Sequence, residues 1–272
     1  DNVTAEIFDK LLKDSNYQGK KREIEKFNSV NKVLKKGYAI MPLRFGISFA
    51  GAIHLNQAGA LVLIYTDGSV LVTTGGIEMG QGFLTKLQQL VAQELGINYN
   101  KVLVSTTRTD KIPNTSASAS SQTFDLNGAA ALDAVRKIKH NLFSYVKSKY
   151  KIKGNKAIYE NGKVKFSGKS FSFLSLVKEC YANRISLSAN GFYKSPKIHF
   201  NKKKFKGRPF LYYCYGASFV SVIVDTLTGE NRVLEVEMLH DAGRRINNNI
   251  EYGQCLGGWY QGMGNLTTEE MK

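Results

Sequence analysis

Residues 60–97 read ALVLIYTDGSVLVTTGGIEMGQGFLTKLQQLVAQELGI, and the fold is decided in this stretch. Two apolar runs flank Asp67-Gly68, a turn pair that supplies the positive φ of a tight hairpin. From Phe83 the period changes. Leu84, Leu87, Leu90, Val91, Ala92 and Leu95 share one helical face, and Gly96 stands where a C-terminal cap is expected. The glycines of TTGGIEMGQG (73–82) therefore occupy a strand-to-helix turn. Backbone N–H groups at a helix start lack intrahelical partners, and glycine lets a ligand approach the backbone there. The same composition also suits a plain tight connection, and its spacing matches neither the G-x-G-x-x-G dinucleotide fingerprint nor a Walker loop.

A second loop of this kind is TSASASSQT (115–123), which follows the apparent strand KVLVSTT and precedes a helix read from LNGAAALDAVRKIKHNLFSYV. Helix capping accounts for one or two of Ser116, Ser118, Ser120, Ser121 and Thr123, but hardly for all of them. Two donor-rich loops one βα unit apart can converge on one polar, phosphate-bearing ligand.

Working outward, residues 2–32 read as two short helices split near DSNYQG, and 36–51, with LRFGISFAG, read as mostly extended. Beyond the second helix, AIYENGKVKF suggests a hairpin around Asn161-Gly162, SFLSLVKECYANR a helix, and VIVDTLTGENRVLEVEML another hairpin. In the closing segment, Ile250, Gly253, Gly257, Tyr260, Gln261 and Gly264 have near-helical spacing, with small residues suited to close packing. This mixed order indicates an α+β fold of mixed sheets, hairpins and packed helices. Composition divides the chain into 1–150 with the two loops, a lysine-rich connecting region 151–207, and 208–272 with a hairpin and a Gly-rich helix.

With 272 residues, 43% hydrophobic, the chain has ample material for a core. No apolar run is long enough for a membrane span, and the acidic, amphipathic DNVTAEIFDKLLKD is unlike a signal peptide. Cys180, Cys214 and Cys255 are widely spaced, as are the four histidines, which argues against a metal or iron-sulfur site in this chain and suits a reducing, cytoplasmic setting. The net charge of +16 is concentrated. Residues 136–208 hold roughly 20 Lys or Arg against Glu160 and Glu179, and the rest is near neutral. Within it, KSKYKIKGNK and NKKKFKGR read as a helix end and a loop. They form no recognisable nucleic-acid motif, so a solvated lysine-rich surface is expected and nucleic acid is not an expected partner.

Six segments occur in order: LRFGISF, LNQAGALVLIYTDGSVLVTTGGIEMGQGFLTK, IPNTSASASSQTFDLNGAA, LSANGFY, YGASFVSVIVDTLTGE and DAGRRINNNIEYGQCLGGWYQGMG. Together they resemble the molybdenum-cofactor domain of the xanthine dehydrogenase and aldehyde oxidase family, nearer to xanthine dehydrogenase, over nearly the whole chain. The resemblance implies that the two loops hold a molybdopterin. Matched residue by residue, Gly80, Gln81, Gly82 and Lys86 belong to the first cofactor segment, Ser118, Ala119, Ser120, Ser121, Gln122 and Thr123 to the second, and Gln254 to a third at the opening of the last helix. Phe49 matches a ring that stacks on a flat heterocyclic substrate, with Phe45 and Ala50 beside it. On residue spacing alone, Phe45 and Phe49 would share one face of a strand, which equally suits core packing.

The resemblance further implies a portion of a molybdenum hydroxylase that inserts oxygen from water into a purine or related heterocycle, with electrons passed to iron-sulfur clusters and FAD in other parts of the complete enzyme. The expected partners are that substrate and other domains or subunits, with no membrane partner. The family's general base is a glutamate in a Gly-Glu-Pro type motif, which this sequence lacks; no catalytic residue is assigned here, and the isolated chain is expected to be inactive. The Arg-bearing segment that orients substrate and supplies a second stacking ring is expected before Asp1. Other departures are Asn248 where a proline usually follows Asn247, Ser120 for a common alanine, and Ala50 for a frequent threonine, the last bearing on purine specificity. An aldehyde oxidase-type hydroxylase and a non-catalytic accessory protein with a basic partner-binding segment remain as alternatives.

Overall fold

The hairpin and helix expected in 60–97 are present. A computed structural model of the protein describes residues 2–105 and 107–270. The helices are α1 (Thr4–Asp14), α2 (Tyr17–Val30), α3 (Phe83–Leu95), α4 (Thr123–Tyr150), α5 (Phe173–Ala182) and α6 (Asn248–Thr267). The longer strands are β1 (Leu34–Ile47), β2 (Gln57–Ile64), β3 (Val70–Thr74), β8 (Ser188–Lys194), β11 (Tyr212–Asp225) and β12 (Asn231–Asp241). Short ones are β4 (Val102–Val104), β5 (Ile158–Glu160), β6 (Lys163–Phe166), β7 (Lys169–Ser172), β9 (His199–Asn201) and β10 (Lys206–Arg208). The fold is α+β.

Packing gathers these elements into two units, residues 1–47 with 212–244, and 48–211 with 245–272. The division at 150 and 207 follows charge and composition along the chain and is a different partition.

In the first unit, β11 is the central strand of an antiparallel sheet, with β1 and β12 on either side. Ile7 and Leu11 of α1 lie with Tyr215, Ala217 and Phe219 in its core. Tyr17 sits edge-on to both Tyr38 and Phe219, at 5.4 and 6.2 Å between centroids. Lys20 of α2 bonds Glu235 and Glu237 on β12.

In the second unit, the sheet order is β4-β3-β2-β8, with β3 and β4 parallel and the other pairs antiparallel. Alternation in β2 buries Ala58, Ala60, Val62 and Ile64 on one face. That face packs with the apolar stripes of α3 and α4, including Leu87, Val91, Ala130, Ala134 and Ile138. A Cβ on Gly191 of β8 would fall 1.9 Å from the Ala130 carbonyl oxygen, so only glycine admits α4 this close to the strand. The end of α4 is tied to α5 through Glu179, which accepts bonds from Tyr145, Tyr150 and Lys149 at 2.9, 2.7 and 2.9 Å. Beside it, burial pushes the Cys180 thiol up to about 12, a protonated packing group. Cys180 and Cys255 are free thiols.

Three expectations change. β5, β6 and β7 form a three-stranded sheet where only a hairpin was read. NKKKFKGR, read as a loop, carries β10 and pairs with β9 in a two-stranded ribbon, because residues 202–205 turn the chain back on itself. Gly253 and Gly257 of α6 make no close packing among the described residues: none of the helix is buried, nothing lies within 4 Å of a Cβ placed on either, and a Cβ on Gly264 would meet only the Glu269 side chain.

Candidate functional site

The first loop, 75–82, is organised by its own side chains. The Glu78 carboxylate accepts backbone N–H bonds from Gly80, Gly82 and Leu84, each at 2.9 Å. It thus fills the start of α3, where the sequence suggested free donors. Partial desolvation works upward on this carboxyl, but the bonds from Leu84, Gly82 and Gly80, with the nearby Lys86 charge, hold it below the usual carboxylate range. Gln81 also turns inward on the loop. Its Oε1 accepts from Met79 N at 2.6 Å, and its Nε2 donates to the Ile77 carbonyl at 2.8 Å. Gly82 has φ of 72°, and a Cβ there would lie 2.6 Å from Cδ1 of Ile250, so this position needs glycine on two counts.

The second loop is held at its foot and open at its crest. Gln122 is almost fully buried and donates to Oδ1 of Asn56 at 2.9 Å. Thr123 opens α4, and its carbonyl accepts from the buried Asn127 Nδ2 at 2.9 Å. Oδ1 of Asn127 accepts in turn from the hydroxyls of Thr74 and Thr115. At the crest, Ser120 and Ser121 have φ of 54° and 53°, left-handed backbone that costs a residue with a Cβ roughly 1–2 kcal/mol. The α4 N-terminus has no side-chain cap, so capping does not explain the serine run.

The segments singled out in the sequence meet in the second unit. Ser118 Oγ accepts from Ile77 N at 2.8 Å, joining the second loop to the first. Gln254 Nε2 donates to the Gly80 carbonyl at 3.3 Å, joining α6 to the first loop. Gln254 stands in the second turn of α6, which begins at Asn248 and is capped by the Asn247 side chain on Ile250 N at 3.2 Å. Lys86 is mostly buried, with its ammonium 3.8 Å from Glu251 and 5.6 Å from the centre of the Phe124 ring. Ala119 is exposed on the second loop, its N–H bonded to the Ala117 carbonyl.

The substrate-facing candidates are placed differently. Phe45 is on β1 in the first unit, 47% exposed and opposite Cys214, while the neighbouring Arg44 guanidinium stacks 4.0 Å from the Tyr213 ring centre. β1 ends at Ile47, so the strand alternation meant to align Phe45 with Phe49 stops before Phe49. Phe49 and Ala50 belong to the second unit, in a bend fixed by Asn56, which accepts from Phe49 N at 2.9 Å and donates to Phe49 O at 3.2 Å.

Asn56 and Asn127 are the residues sequence reasoning missed. Each is a buried amide whose bonds lock a loop in place, and the available signal was a polar residue inside an otherwise apolar stretch, LNQAGALV and DLNGAAAL. Glu78 is the third: its carboxylate caps the start of a helix. Among the described residues no group of three His, Cys, Asp or Glu is placed to hold a metal, and no helix is long and apolar enough to cross a membrane. The donor set suits the polar, anionic organic part of a cofactor: the Lys86 ammonium, and the crest hydroxyls of Ser120 and Ser121, which bond no protein group among the described residues.

A family model described as the molybdopterin cofactor-binding domain matches residues 10–272. The chain is 41% identical over 266 residues to xanthine dehydrogenase of Oryza sativa subsp. japonica, covering 98% of the chain and 18% of that protein. It is 40% identical over 265 residues to xanthine dehydrogenase/oxidase of Gallus gallus, covering 97% and 18%. The chain thus spans under a fifth of the length of these relatives. Among solved structures, reconstituted CO dehydrogenase from Oligotropha carboxidovorans matches with a TM-score of 0.80 at 23% identity, over 94% of this chain and 32% of that one. Quinoline 2-oxidoreductase from Pseudomonas putida 86 matches with a TM-score of 0.77 at 21% identity, over 94% and 33%. At these identities the structural likeness speaks for the fold.

Proposed function

Because the chain belongs to the molybdopterin cofactor-binding domain family, we propose that its two loops and α6 form the cofactor cradle of a xanthine dehydrogenase-like molybdenum hydroxylase. The observation that carries this reading is the convergence of three sequence-distant segments: Ser118 on Ile77, Gln254 on Gly80, and Ile250 against Gly82. When bound, the cofactor supplies a metal centre for two-electron oxidation of a heterocyclic carbon.

The chain's own residues bind and orient. Lys86 offers a fixed positive charge to an anionic group, strengthened by its burial. Ser120 and Ser121 offer hydroxyls and strained backbone at the open crest. Ser118, Gln122 and Thr123 set the height and angle of that crest, and Gly80, Gln81 and Gly82 set the shape of the opposing wall. Gln254 holds α6 against that wall. Phe49 and Ala50 are assigned to the substrate, a purine or related heterocycle. Electrons leave through iron-sulfur and flavin groups carried elsewhere in the complete, cytoplasmic enzyme.

The test is the molybdenum and pterin content of the full-length protein, with its oxidation of xanthine and of an aldehyde. The expected result is stoichiometric cofactor, reduced several-fold by Lys86→Ala and Gln254→Ala without loss of folding, and preference for the purine. A folded protein with neither molybdenum nor pterin would overturn the cradle, and preference for the aldehyde would overturn the substrate assignment.

A further inference from the structure

Between Glu179 and Leu211 the chain has no acidic residue, and its last bases are brought together by one small element. In the ribbon, His199 pairs with Arg208 and Asn201 with Lys206, and residues 202–205 form the crest. The turn is built by Asn201, whose Oδ1 accepts from Lys204 N at 3.0 Å. Every residue in 201–208 is exposed. Lys202, Lys203, Lys204, Lys206 and Arg208 form no ion pair among the described residues. Amid this charge stands Phe205, 83% exposed with φ of 48°, touched by the ring of Phe200 edge-on at 6.1 Å.

We infer that the β9–β10 ribbon is a peripheral docking element for an anionic lipid surface, with Phe205 entering the headgroup layer and the five bases lying over the lipid charges. An aromatic ring held out in water at the crest of a basic turn gains most where an apolar layer begins just beneath a negative one. Charge alone would serve a nucleic acid as well, but single strands bind through successive stacked rings, and the ribbon offers one open ring. No helix among the described residues is long and apolar enough to cross a membrane, and surface docking needs none. This inference stands apart from the cofactor reading.

The test is co-sedimentation of the full-length protein with phosphatidylcholine vesicles, with and without about 30% phosphatidylserine, at low and high salt. Binding is expected only to the anionic vesicles and is released by salt. The triple variant Lys202→Glu, Lys203→Glu, Lys204→Glu should lose at least about tenfold in partitioning, and Phe205→Ser roughly threefold with its salt dependence kept. A control with the same charge change elsewhere, Lys153→Glu, Lys156→Glu, Lys178→Glu, should stay within about twofold, with melting temperatures unchanged throughout. Equal losses in the control would reduce the effect to net charge and overturn the ribbon. So would binding to the neutral vesicles, no binding at low salt, or retention on single-stranded RNA without retention on vesicles.

Discussion

The loops leading into α3 and α4 hold equivalent places ahead of a helix, one rich in glycine and the other in serine, and they are opposite in how their polar groups are used. In the first, Glu78 and Gln81 bond the loop's own backbone, closing it on itself. In the second, the polar bonds lie at the foot, through Gln122 to Asn56 and through Asn127 to Thr74, Thr115 and Thr123, while the crest serines stay open. A loop that satisfies its own donors presents shape. A loop that leaves hydroxyls unpaired on a fixed foot presents chemistry. On the proposed reading, one task is divided between two different loops, a wall and a reader.

The most damaging way to break this contrast is at the foot. Asn127→Ala would take the acceptor from the buried Thr74 hydroxyl, which keeps only a long 3.4 Å bond to the Gly59 carbonyl, and from the part-buried Thr115 hydroxyl, at about 1–3 kcal/mol for each group that finds no water. The expected outcome is a loss of about 3 kcal/mol, read by calorimetry as a fall of roughly 5–10 °C in melting temperature. A change near zero would mean that the foot is not fixed.

The closed loop should break more gently. Glu78→Gln weakens one cap at the start of α3, at about 1 kcal/mol near neutral pH. The Glu78 carboxyl is held below its ordinary range, so its contribution is complete above the unfolded-state pKa and is lost as pH falls through the folded one. The melting temperatures of the wild-type protein and the Gln variant should therefore differ at pH 7 and converge below about pH 4. A gap of constant size would show that the charge contributes nothing.

Much of this was legible beforehand. Apolar alternation and Asp67-Gly68 define β2 and β3, and helical periodicity defines α3 and α4, because local spacing alone reports which face is buried. The cofactor segments were legible as ordered motifs. The direction each side chain takes was not: nothing local says that Gln122 turns inward to Asn56, 66 positions away, or that Glu78 folds over its own helix start. The β9–β10 ribbon escaped for another reason. Its strands are three residues each, too short for alternation to mark, and its one turn-building residue, Asn201, is followed by a run of lysines that reads as a solvated loop.

The smallest expected effect sharpens the contrast most. Ser120→Gly removes both a hydroxyl and the strain of a Cβ in left-handed backbone, whereas Ser120→Ala removes the hydroxyl and keeps the strain. Stability should be unchanged in the alanine variant and rise by about 0.5 kcal/mol in the glycine variant, where relief of strain slightly exceeds the added freedom of the unfolded chain. Pterin content should fall in both by the same factor, since the lost group is common to them. If instead the glycine variant alone loses pterin, the strained backbone is what the cofactor needs, and the hydroxyl is incidental. If neither loses it, the second loop is a wall like the first, and the open crest serines have no part in recognition.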